Sequence, residues 1–298
     1  ANLAGYVGYA SGSTGDVTVS GAGSTWTNTG ALYVGRAGSG SLAISEGAKV
    51  TNTVGYVGEL TGSNGAVTVA GAGSTWTNSS NLYVGRAGTG SLAIGDGGTV
   101  TNSVGRVGDL AGSTGNVTVS GIGSTWTNTG ELVIGYSGSG TLAITGGGTV
   151  NSDWGRVGEL AASTGQVTVS GTGSTWTNKK SLVIGPLGSA TLTITNGGKV
   201  TSANGSVLAT TNTTGQVTVS GVGSEWMDGG TLRIDGTIAV SDGGVVSSRA
   251  GRVGDSAESA GGVMVSGEGA IWTNNMTLTV GYYGRGSLAI AEGGAVSN

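Results

Sequence analysis

The sequence predicts an all-β fold, a right-handed parallel β-helix: a three-sided solenoid of about twelve coils in six fifty-residue repeats. Three observations carry that prediction. The stretch Ser24-Thr25-Trp26-Thr27-Asn28 returns around Trp76, Trp126, Trp176, Trp226 and Trp272, with Trp spacings of 50, 50, 50, 50 and 46 residues. Each unit then divides into two similar halves. Finally, apolar residues alternate with small polar ones between Gly- and Ser-rich breaks, which is the pattern of short half-buried strands.

The repeats run roughly 1-52, 53-102, 103-152, 153-202, 203-248 and 249-298, forming a single β-solenoid domain over 1-298. Within the first, Tyr6-Val7-Gly8, Asp16-Val17-Thr18-Val19 and Thr25-Trp26-Thr27 are matched by Tyr33-Val34-Gly35, Ser41-Leu42-Ala43-Ile44 and Lys49-Val50-Thr51. Starting points at 6, 33, 56, 83 and 106 give coils of alternating 27 and 23 residues, each with three strands. A strand this short is unstable alone. Stacked on its copy in the next coil it gains a parallel ladder at about 4.8 Å, so twelve coils make a rod roughly 55–60 Å long. Strand twist and crossover chirality favour right-handed winding. Gly and Ser clusters supply the turns, and no segment has the apolar period of a helix.

The inward positions of the first unit are Val7, Val17, Val19, Trp26, Leu32, Val34, Leu42, Ile44 and Val50. Trp26 aligns with Val50, so large and small residues alternate along the axis. The Asn two residues beyond each Trp or Val (Asn28, Asn52, Asn78, Asn102, Asn128, Asn178, Asn274, Asn298) is expected at a corner, its amides stacking and capping the turn. The fifth unit departs from the pattern. Leu232 to Val240 lacks four residues relative to Leu32 to Ile44, and Glu225-Trp226-Met227 replaces Thr-Trp-Thr.

Composition narrows the function. The chain has 65 Gly, one Pro, no Cys, no His and no Phe; charged residues make up 9% and the net charge is −4. A shortage of Lys and Arg disfavours nucleic acid as a partner. No apolar run reaches the length of a membrane helix, so no direct membrane insertion of this segment is expected. Without His or Cys, the Ser-His-Asp and Cys-His arrangements and the usual zinc sites are unavailable. No catalytic residue, no cofactor-binding residue, no metal site and no cofactor is therefore assigned.

Acidic residues recur at Glu59, Asp109, Glu159 and Asp255, with Arg106, Arg156 and Arg252 three positions before the last three. They read as a solvated loop edge with weak ion pairs rather than a cation-binding row. Two outward ladders are candidate binding surfaces. Tyr6, Tyr33, Tyr56 and Tyr83 fall one coil apart on one face, where flat rings would suit the apolar faces of sugars, or would simply stiffen the sheet. Thr25, Thr27, Thr75, Thr77, Thr125 and Thr127 flank the inward Trp on another. Regular Thr arrays suit ice, but Lys49, Lys199, Glu225 and Met227 interrupt this one.

The consensus Tyr-Val-Gly, Gly-x-Val-Thr-Val-Ser-Gly-x-Gly-Ser-Thr-Trp-Thr-Asn, Leu-x-Val-Gly and Gly-Ser-Leu-Ala-Ile-x-x-Gly-Gly-x-Val resembles the repeats of bacterial autotransporter (type V secretion) passengers, shared with PEP-CTERM-associated surface-protein repeats. The resemblance covers nearly all of 1-298. It implies a right-handed β-helix, export, and display at the bacterial outer-membrane surface or outside the cell, with no functional residue to carry over. On that basis the chain is expected to be a fragment of a longer repeat array. Its expected role is that of a non-enzymatic structural or adhesive β-helix, the stalk or passenger of an adhesin in cell–cell, matrix or host attachment and biofilm. Expected partners are other copies of itself or host and matrix glycans or proteins. The alternative is a filament or matrix subunit stacking end to end through uncapped ends; a glycan-active enzyme and an ice-binding solenoid stand behind both.

Overall fold

The computed structural model describes residues 2–210 and 213–298, and among them every regular element is a β-strand. Each coil has a short first strand such as Gly55–Val57, a long second strand such as Asn64–Ala70, and a third such as Thr75–Asn78. All the strand pairs are parallel and join successive coils. Second strands stack into a 12-stranded sheet, while first and third strands form a 22-stranded one. The two columns of that larger sheet fuse near the C-terminus, where single strands Val245–Val253 and Ile271–Val280 carry the third strand of one coil into the first strand of the next.

The register is the one the internal repeat implies. Val7 pairs with Val34, Val17 with Leu42, Val19 with Ile44 and Trp26 with Val50. Inward side chains are almost wholly shielded, and Trp76, Trp126, Trp176 and Trp226 are fully buried. Terminal coils stack on one side only, so Val17, Val19 and Trp26 are partly buried and Ile290 is exposed.

The Trp–Val alternation has a partner that keeps core volume level. Where the third strand supplies Trp, the first strand of that coil supplies Gly; where it supplies Val, the first strand supplies Leu. Leu82, Gly105 and Leu132 are consecutive in their column, as Val100, Trp126 and Val150 are in theirs. A Cβ built on Gly105 would lie 2.9 Å from the Trp126 ring, 3.0 Å from Leu132 and 2.3 Å from Asn128 Oδ1. The glycine is therefore the space into which the indole fits. Close packing of this kind penalises both voids and added atoms.

The Asn column closes the third strand at its turn, as in Lys49–Asn52 and Thr75–Asn78, and its amides bond to one another as expected, but they point inward. Two residues from an inward Trp is again inward, so Asn52, Asn78, Asn102 and Asn128 are buried beside it. There they bind the indole. Trp76 Nε1 donates to Asn52 Oδ1 at 2.7 Å, and Asn52 Nδ2 donates to Asn78 Oδ1 at 2.6 Å. Trp126, Asn102 and Asn128 repeat the arrangement at 2.7 and 2.6 Å. Further along, a Ser hydroxyl takes the first Asn's place: Trp176 donates to Ser152, which donates to Asn178. An indole N–H buried in an apolar core needs such an acceptor. Asn102→Ala would strand the Trp126 N–H and one lone pair of Asn128, and a loss of about 2–4 kcal/mol in denaturant-unfolding stability is expected. Asn102→Ser, which copies the later coils, should recover most of it.

Candidate functional site

The predicted tyrosine ladder forms. Tyr6, Tyr33, Tyr56 and Tyr83 are in register, with ring centroids 4.9, 4.9 and 5.2 Å apart and planes within 9° of parallel. Parallel strands hold equivalent side chains at one coil spacing, and the rings tilt to pack on one another. Their faces are thus occupied by neighbouring rings, and what the column presents outward is ring edges and hydroxyls. Tyr9 closes the free end of the stack, edge-on to Tyr6 at 5.0 Å. Burial, reinforced at Tyr33 by Glu59 and Tyr6, pushes the Tyr33 and Tyr56 phenols up, so both stay neutral donors at physiological pH.

Of a second column, three residues on from the tyrosines, the sequence marked only the acids. That column contains Tyr9, Arg36, Glu59, Arg86, Asp109, Tyr136 and Glu159, the residue that follows each Val-Gly or Ile-Gly turn. Arg36 lies over Tyr9 at 4.8 Å, Arg86 over Tyr56 at 5.3 Å, and Arg106 over Tyr136 at 4.0 Å. The four recurring acids lie beneath these guanidinium groups rather than in solvent. Glu59 bridges Arg36 at 3.3 Å and Arg86 at 3.4 Å; Asp109 meets Arg106 at 3.0 Å and Glu159 meets Arg156 at 2.6 Å. Asp255 takes Arg252 at 3.5 Å and Arg233 at 3.6 Å. Burial raises the Glu59 carboxyl while the two arginines pull it back. Guanidinium planes held between carboxylates and aromatic rings are rigid donors. The edge formed by the two columns is therefore suited to ligands rich in hydrogen-bond acceptors.

The threonine ladders also form, on the third-strand column. The longest unbroken runs are Thr75, Thr99, Thr125, Thr149, Thr175 in one row and Thr27, Thr51, Thr77, Thr101, Thr127 in the other, which Asn151 ends. Thr25 heads the first row, and Lys49 separates it from Thr75. Thr25, Thr27 and Thr77 are exposed; Thr75, Thr125 and Thr127 are partly so. Lys199 and Glu225 end the first row in an ion pair of 3.0 Å. Tyrosines and threonines alternate with inward residues in the strands that carry them, so no core contact depends on either set.

No family model and no curated protein matches this sequence. Among solved structures, the TibC-catalysed hyper-glycosylated TibA55-350 fragment is similar in fold. The two share 19% identity with a TM-score of 0.51, over 99% of this chain and 100% of that one. At that identity the likeness is one of architecture: a β-solenoid of matching extent.

Proposed function

We propose that the chain is a non-enzymatic extracellular β-helical rod, the adhesive passenger or stalk of a bacterial surface protein. The observation that carries this reading is the in-register repetition of outward columns on a rigid core. Tyrosine hydroxyls recur at coil spacing along one edge, with the Arg36 and Arg86 guanidinium groups two coils apart beside them, and threonine hydroxyls recur along another. A single coil offers contacts too weak to hold a partner, but a row of identical contacts on a stiff rod engages a repetitive partner with avidity far above any one of them. Host or matrix glycans and glycoproteins are the partners this chemistry suits. The autotransporter-like consensus and the fold shared with the TibA fragment support the assignment.

Beads coated with the chain and rolled over mucin- and fibronectin-coated surfaces test it. Substituting three consecutive members of one row, Thr77→Lys, Thr101→Lys and Thr127→Lys, should reduce retention by about tenfold or more, because avidity falls steeply as contacts are removed. Retention unchanged both by that variant and by Tyr33→Ser with Tyr56→Ser would remove the ladders as the binding surface.

A further inference from the structure

The shortened tenth coil leaves a feature that the rod reading does not use. Between its first strand, Thr231–Ile234, and its second, Thr237–Ser241, lie Asp235 and Gly236 alone. The coils on either side keep full loops, so a cleft of about 670 Å³ opens where the missing turn would be. Pro186, Leu208 and Ala209 line one wall, Ser256, Glu258 and Ser259 the other, and Asp235 forms the floor.

The residues around the cleft have changed together. In the other odd-numbered coils the position of Leu208 is a glycine that could bear no side chain: a Cβ on Gly58 would meet the Thr89 carbonyl oxygen of the overlying loop at 2.1 Å, and one on Gly108 that of Ser139 at 2.2 Å. Removing the overlying turn frees that space, and a leucine occupies its edge. Asp235 replaces a glycine as well. Its Oδ1 accepts the N–H groups of Asp255 at 2.7 Å and Ser256 at 3.0 Å, and its Oδ2 accepts the Ser256 hydroxyl at 2.7 Å. Elsewhere the corresponding N–H groups bind loop carbonyls, as Glu59 N does Gly35 O and Leu60 N does Arg36 O. The carboxylate thus substitutes for the deleted turn and keeps the cleft from collapsing. Glu258 stands where Gly12, Gly62 and Gly112 stand in other coils and keeps their left-handed φ, at 66°, a conformation that is strained for a non-glycine residue. It is exposed, and no Lys or Arg pairs with it among the described residues. Among the described residues one backbone donor is also left over. Asn64, Thr114 and Thr164 begin their strands by donating to Gly38, Gly88 and Gly138, but for Ala260 that glycine is absent.

We propose that this cleft is a binding site for one unit of an amino sugar. An aliphatic wall of Pro186 and Leu208 suits the apolar face of a pyranose ring, and the missing turn leaves a slot about one ring or one chain thick, since neighbouring coils lie about 4.8 Å apart. Opposite, the Glu258 carboxylate faces a ligand ammonium group, the Ala260 N–H donates to a ring hydroxyl, and Ser259 Oγ, whose own hydrogen goes to Ser256 O at 2.7 Å, accepts from another. With Asp235 ionised below, the site repels uronic acids and other anionic sugars. This site is separate from the ladders and stands or falls independently of them.

Calorimetric titration of the whole chain with a glucosamine tetramer tests the proposal, with an N-acetylglucosamine tetramer, a galacturonate tetramer and tetralysine as comparisons. One saturable site for the glucosamine tetramer is expected, at least about tenfold weaker for the galacturonate oligomer. Leu208→Gly and Glu258→Gly restore the residues of the regular coils; both should stay folded, and Glu258→Gly, which relieves a left-handed φ, should not lower the unfolding midpoint. Each should weaken binding by about tenfold or more, the loss typical of a charge-assisted contact or a buried apolar one. Absence of saturable binding at millimolar sugar, equal binding by both variants, or tighter binding of tetralysine than of any sugar would overturn it, the last by assigning the cleft to a basic peptide.

Discussion

Trp126→Val should destabilise the rod by about 3 kcal/mol, and Gly105→Leu by a similar or larger amount, yet the two together should cost much less than their sum. The first leaves a cavity under the indole; the second drives a side chain into it from a Cβ 2.9 Å from the ring. Combined, they convert a Trp–Gly coil into the Val–Leu coil found directly above and below it. A coupling of about 2 kcal/mol or more in a denaturant-unfolding double-mutant cycle would establish that the alternation is a volume exchange between two columns. The recovery is incomplete for two reasons: the new Cβ still meets Asn128 Oδ1 at 2.3 Å and Leu132 at 3.0 Å, so both must shift, and Asn102 Oδ1 loses the indole N–H that it accepts, which leaves a buried acceptor without a donor.

Asp228→Asn should make the protein more stable at neutral pH, an unusual outcome for a core substitution. Asp228 occupies the column held by Asn78, Asn128 and Asn178, buried, with the Ser202 hydroxyl donating to its Oδ1 at 2.9 Å. Burial pushes its carboxyl up from the ordinary 3.8 to about 6, against hydrogen bonds from Ser202 and the backbone of Gly230 and Gly205. The folded state therefore holds this proton more tightly than the unfolded chain. Its contribution is fully present below about pH 4, falls as pH rises, and is lost above about pH 6. At 1.36 kcal/mol per pH unit, the loss is about 3 kcal/mol. Unfolding midpoints measured from pH 4 to pH 8 should show the variant gaining on the parent across that interval, with little difference at its acid end. Parallel curves for the two proteins would mean that the carboxyl is not held protonated by its surroundings.

Much of this was legible in the residues. Val17-Thr18-Val19 fixes which side chains face inward, and the match of Trp26 to Val50 fixes the register of successive coils, because a parallel stack places like on like. The tyrosine and threonine columns follow from the same parity. What stayed hidden are contacts between columns. That Gly105 makes room for Trp126 depends on how two sides of the triangular coil meet across its interior, which a one-dimensional pattern does not contain. The buried position of Asn102 was within reach, since a residue two along a strand from an inward Trp is inward too. Arg36 and Arg86 were overlooked for a different reason: their column alternates Tyr, Arg and acid from coil to coil, so no single residue type repeats. The cleft was signalled by the four-residue deletion. Its lining became readable only when Leu208, Asp235 and Glu258 were seen around one space.

The central claim is that the repeated Trp–Asn stretch builds the rod while the outward columns do the binding. Bead retention on mucin- and fibronectin-coated surfaces, measured at 25 °C for the parent chain, Trp126→Ala and the Thr77, Thr101, Thr127 triple lysine variant, tests it directly. Trp126→Ala should lower the denaturant midpoint, losing about 3–5 kcal/mol, yet hold to the surface like the parent wherever circular dichroism shows it folded. The lysine variant should stay folded, its midpoint lowered only modestly by like charges stacked one coil apart, and lose retention. A folded Trp126→Ala rod that fails to bind, beside a lysine variant that binds normally, would contradict the claim and make the buried stretch the recognition element.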